Sequence, residues 1–134
     1  MDKKDNLNAA LDPAVVAKIA AHYRHARAKH PYFADKLFNA KAADNSAYKA
    51  ELDLRMSRNT LRMLSEFGML SAEFVANYEL AEAAEAAARG DRAHAAEECY
   101  DAITVLLRMI DVLEGRQALG DPAKDDAKTE GAIQ

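Results

Sequence analysis

The residues best suited to chemistry lie in one stretch, 79–101, which reads ELAEAAEAAARGDRAHAAEECYD. It holds a Glu-x-x-Glu pair, Glu79 and Glu82, and a Glu-x-x-Asp pair, Glu98 and Asp101, separated by Arg89-Gly90-Asp91. A spacing of three puts both acids of a pair on one face of a helix. Glu82 and Glu98 are each eight residues from Gly90, and Glu79 and Asp101 are each eleven. If the chain folds back at Gly90 as two antiparallel helices, both pairs sit at one height, about 12 to 16 Å from the turn. The four carboxylates then converge, and each raises its neighbours' pKa unless a cation sits among them. Oxygen ligands without His or Cys favour Mg²⁺, or Mn²⁺, over zinc. Glu79, Glu82, Glu98 and Asp101 are therefore candidate metal ligands.

These acids need rigid elements, and the composition supplies helices. The 134 residues include five glycines, three prolines and many alanines, which predicts an all-α chain with a core of four or so helices. The expected fold is a four-helix-bundle-like subunit in which an antiparallel helical hairpin carries the acidic motifs. A net charge of −4 with mixed signs provides no overall basic field for nucleic acid. Cys99 is the single cysteine, so it has no intramolecular disulfide partner and reads as a small core residue rather than a nucleophile. The start, MDKKDNLNAAL, has no apolar targeting core, and no run approaches the ~18 apolar residues of a membrane span. A cytoplasmic location without a membrane partner is expected.

Asp12-Pro13 is an N-cap and first-turn proline, and Pro31 stops that helix near His30, with Val16, Ile19, Ala20 and Tyr23 as its expected buried face. The aromatic segment that follows, with Tyr32, Phe33 and Lys36, reads either as a plug for one end of a bundle or as a flap over a planar, phosphate-bearing ligand. Asn45 or Ser46 can cap a long helix running to Phe67. Its apolar positions form two stripes, Tyr48, Leu52, Met56, Met63, Phe67 and Leu54, Leu61, Leu64, so it is expected to pack on two sides. Between them Arg55, Arg58, Asn59 and Arg62 read either as a solvated face paired with Glu51 and Glu66 or as a phosphate grip. Ser71 caps the next helix, with Leu70 and Val75 placed as a hydrophobic staple. Glu79 and Glu82 share a face with Val75 and Ala86, while Glu98 and Asp101 continue the stripe Ala102, Val105, Met109, Val112. Acids on an inward face are expensive unless paired or metal-bound, so they mark a functional candidate. Residues 1–11 and 116–134 read as a flexible start and a poorly ordered tail around one domain, 12–115.

Over residues 71–115 these motifs resemble the MazG family of all-α nucleoside triphosphate pyrophosphohydrolases, which carry Glu-x-x-Glu and Glu-x-x-Asp on two antiparallel helices. Glu97 matches the extra acid before the second motif, and the aliphatic run ITVLLRMIDVLEG follows it. Tyr78 departs from the pattern, standing where many members have an acid. The resemblance implies Mg²⁺-dependent cleavage of an NTP or dNTP to the monophosphate and pyrophosphate, with Glu79, Glu82, Glu98 and Asp101 mapping onto the metal ligands. It also implies a homodimer or homotetramer.

Within that reading Glu82 or Glu79 is the candidate proton acceptor for the attacking water. Arg55, Arg58, Arg62 and Lys36 are candidates to balance the leaving pyrophosphate, and Tyr32, Phe33 and Tyr78 to contact the base. Asp111, about 15 Å along the axis from Asp101, is too far to share its metal within one helix and reads as a ligand or subunit contact or as a surface acid. His94 reads as a helix-surface pair with Glu98 or a ligand, and Tyr100 as packing or stacking. The alternative is a non-catalytic nucleotide-binding or helical interaction module. A ferritin-like di-iron site wants Glu-x-x-His pairs, and the chain has none.

Overall fold

The computed structural model describes residues 11–34, 36–38 and 46–117, and all regular structure among them is helical. The helices are α1 (Pro13–Lys29), α2 (Ser46–Glu66), α3 (Ala72–Ala88) and α4 (Arg92–Leu113). The all-α class and the acid-bearing hairpin are thus as expected, with packing compatible with a helical bundle. The chain divides into two compact units, Met1–Leu37 and Phe38–Gln134. Most of the expected flexible start and tail lie outside the described residues, as do residues 39–45.

In the first unit α1 begins where its chemistry dictates. The Asp12 carboxylate accepts from the Ala14 amide at 2.8 Å, and Pro13 occupies a position whose N–H would be unpaired anyway. Arg27 lies 5.7 Å from the Tyr23 ring centroid, a cation–π contact on the exposed basic end of the helix. The expected buried face of α1 is corrected here. Val15 is buried, whereas Val16, Ile19 and Tyr23 are exposed. A periodic pattern gives the direction of an apolar stripe, not whether a neighbour covers it.

The second unit is built around α3, which packs against both α2 and α4. Ser71 caps α3 by accepting from the Phe74 amide at 3.1 Å. The other end closes with the Asp91 amide donating to the Ala86 carbonyl at 2.9 Å and Gly90 donating to Ala87 at 3.0 Å, the paired bonds of a Schellman turn. Gly90 adopts φ 84, which an L side chain enters only at a cost. Asp91 then caps α4, its carboxylate accepting from the His94 amide at 3.1 Å. One residue therefore ends one helix and starts the next, which fixes the register of the hairpin.

Alanine lets the two helices of the hairpin approach closely. Ala83 and Ala86 of α3 are fully buried, and Ala95 and Ala102 of α4 are buried with them. On α2 the two stripes separate: Leu54 is buried and Leu61 and Leu64 half-buried, while Tyr48, Leu52, Met56, Met63 and Phe67 stay exposed. Among the described residues no helix is long and apolar enough to cross a membrane.

Candidate metal centre

Glu98 occupies the same face of α4 as Ala95 and Ala102, and it is the one buried charged residue among those described, 8% exposed. Small neighbours leave its carboxylate room at the seam with α3, where Glu79 and Glu82 meet it. Oxygens of Glu79, Glu98 and Asp101 all lie within 4.8 Å of one another, the span that ligand oxygens around a single hard cation cover, about 3 to 5 Å. The three residues offer carboxylate oxygens, a donor set that could hold a hard metal ion. Glu79 is half-buried and Asp101 is exposed, so the cluster runs from the hairpin seam outward.

The electrostatics follow from that crowding. Burial, then hydrogen bonds with Glu79 and Glu82 and their negative charge, pushes the Glu98 carboxyl up to about 8. Glu79 is also raised, by burial first and then by the charges of Glu82 and Asp101. Without a cation the cluster therefore retains a proton near neutrality. His94 Nε2 lies 3.0 Å from Glu98 Oε1, one helical turn away, so it pairs with the acid on the same helix.

The acids form part of the wall of a cleft of about 730 Å³. Glu79, Glu82, Glu98 and Asp101 line it together with Tyr78, Arg58 and Arg62, which come from α3 and α2. Arg58 Nε donates to the Tyr78 hydroxyl at 3.2 Å, across twenty residues of sequence. Burial and the Glu82 carboxylate beside it raise the Tyr78 pKa. Arg62 Nη2 donates to Asn59 Oδ1 at 3.3 Å.

Other candidates of the second unit lie outside the cleft wall. Arg55 forms an ion pair with Glu51 at 3.1 Å and is not among the lining residues. Asp111 accepts from Arg116 Nε at 3.0 Å, at the far end of α4. Tyr32 and Phe33 are 93% and 88% exposed, and with Lys36 they belong to the first unit. Tyr100 is exposed on α4 and is not in the cleft wall.

The cleft also contains residues that motif reading did not assign to it: Leu61, Ser65, Glu66, Leu70 and Val75. The staple positions Leu70 and Val75 were the one available signal, since they bracket the α3 N-terminus on the side that carries Glu79. No family model, curated protein or solved structure matches the chain.

Proposed function

We propose that the protein is a Mg²⁺-dependent nucleoside triphosphate pyrophosphohydrolase, cleaving an NTP or dNTP to the monophosphate and pyrophosphate. The supporting observation is a single cleft whose wall carries both the acid cluster and two arginines. Acids alone repel a polyphosphate and arginines alone need no carboxylate cluster, whereas a Mg²⁺–nucleotide requires both. The resemblance of residues 71–115 to the MazG family points the same way.

Glu79, Glu98 and Asp101 would hold Mg²⁺, with Glu82 at the margin. The ion would supply charge neutralisation for the polyphosphate and acidify an attacking water. Glu82, which stands beside the Tyr78 hydroxyl, would take the proton from the attacking water as a bond forms to the α phosphorus and the bond to the bridging oxygen breaks. Arg58 and Arg62 would take the charge that develops on the leaving pyrophosphate. Leu61, Leu70 and Val75 provide an apolar wall for the nucleoside. Val75 lies one helical turn, about 6 Å, from Glu79.

A second reading, a non-catalytic nucleotide-binding or helical interaction module, draws on Tyr78 in place of the family's acid. The exposed stripe of α2 and the exposed Ile103, Leu106 and Leu113 of α4 favour association into a homodimer or homotetramer in either case. Ion-exchange analysis of products from the eight common NTPs and dNTPs, with and without Mg²⁺, separates the readings. Monophosphate plus pyrophosphate, formed with Mg²⁺ by the wild type and not by Glu82→Gln, is the expected result. Nucleotide that raises Tm with no product in any reaction would reject turnover and leave the binding module.

A further inference from the structure

The arginines of this chain differ in what holds them. Arg55 is paired with Glu51 at 3.1 Å, Arg89 with Glu85 at 2.7 Å, and Arg116 with Asp111 and Glu114 at 3.0 and 2.7 Å. All three are outside the cleft wall. The two arginines in that wall are hydrogen-bonded instead to neutral groups, Arg58 to the Tyr78 phenol and Arg62 to the Asn59 amide. A carboxylate partner would hold a guanidinium in a direct ion pair; a phenol or amide orients it and leaves its terminal nitrogens uncommitted. The Arg58 pKa is raised, by the bond to Tyr78 first and then by the nearby charges of Glu82 and Glu85.

We propose that Tyr78 is a positioning residue that orients Arg58, without a direct carboxylate partner, for the pyrophosphate portion of the substrate, with Asn59 doing the same for Arg62. The inference rests on the functional reading above and deepens it by assigning residues to the leaving-group end of the cleft. The bond from Arg58 uses Nε, which leaves the two terminal nitrogens, with four further N–H groups, for phosphate oxygens. Arg58 and Arg62 are four residues apart on α2, one turn or about 6 Å along the axis, so one pyrophosphate can meet both. Tyr78 is on α3 with Glu79 and Glu82, and its bond to Arg58 therefore ties the cationic wall to the helix that carries half of the acids. This also accounts for a tyrosine at a position where an acid would form an ion pair with Arg58.

The test is isothermal titration of the full chain with pyrophosphate in saturating Mg²⁺, for wild type, Tyr78→Phe, Arg58→Ala and the double variant. Titration with Mg²⁺ alone serves as the control. Tyr78→Phe keeps the ring and removes the hydroxyl. It is expected to weaken Mg²⁺–pyrophosphate binding about tenfold, to leave affinity for Mg²⁺ alone within twofold, and to cost nothing further in the Arg58→Ala background. A purely structural role of the hydroxyl would move Tm and not this coupling. Binding by Tyr78→Phe equal to wild type, or losses that multiply in the double variant, overturns the proposal while product formation by the wild type leaves the functional reading standing. Wild type that binds no pyrophosphate overturns the proposal, and product analysis then decides the functional reading separately.

Discussion

Replacing Glu98 with Gln is expected to stabilise the metal-free protein at alkaline pH and to abolish its response to Mg²⁺. Glu98 is 8% exposed, and burial with Glu79 and Glu82 beside it lifts its pKa from the ordinary 4.5 to about 8. Between those values the folded chain keeps a proton that the unfolded chain has released, so stability falls as pH rises from about 4.5 through about 8. At about 1.4 kcal/mol per pH unit the ceiling is on the order of 5 kcal/mol. Splaying of the carboxylates and sharing of one proton with Glu79 reduce this, and about 2 to 3 kcal/mol is expected. Glutamine preserves the shape and removes the titration, so urea unfolding in chelator at pH 5.5 and 8.5 should show the decline in wild type and a much flatter response in Glu98→Gln. Added Mg²⁺ should restore wild type at pH 8.5 and leave the variant unmoved. Wild-type stability that is level from pH 5.5 to 8.5 in chelator, or an equal decline in Glu98→Gln, would refute the crowding of acids at this seam.

Three further outcomes follow from the hairpin and its surface. Gly90→Ala forces a side chain into φ 84 and should cost about 1 to 2 kcal/mol by urea unfolding, with Mg²⁺ response weakened because the register of the acid pairs depends on that turn. Asp91→Ala removes the cap on the His94 amide and should cost about 1 kcal/mol in the same assay, whereas Asp91→Asn should recover most of it. Met56→Lys places a charge on the exposed α2 stripe, where Met56 is 61% exposed, and should reduce the mass measured by light scattering if a second copy covers that stripe. An unchanged mass would remove that stripe from the interface.

The ends of the helices and the pairing of the acids were legible because both are local. Asp12-Pro13, Ser71 and Asp91 supply oxygens or a ring that the first turn needs within three residues, and Gly90 permits the one backbone state that ends α3. Counting from Gly90 then brings Glu79, Glu82, Glu98 and Asp101 to one level, since the rise of a helix is constant. What each face would meet was a tertiary matter. Periodicity marked two stripes on α2 without saying that Leu54 would be buried and Met56 exposed. It also misplaced the buried side of α1, where Val15 rather than Val16 is covered.

The same division runs through the site. Sequence spacing brought the four acids to one cleft wall, where Glu79, Glu98 and Asp101 converge within 4.8 Å and Glu82 lines the cleft beside them, but the row Arg55, Arg58, Arg62 looked uniform, because each lies on one side of the same helix. The approach of α3 separates them: Arg58 donates to Tyr78 of that helix, Arg62 lines the cleft, and Arg55 turns to Glu51. Likewise Glu98 is buried and Asp101 exposed, although both sit in one motif three residues apart. Helical geometry sets the angle between such neighbours, and only the packing of a second helix decides which of them loses its water.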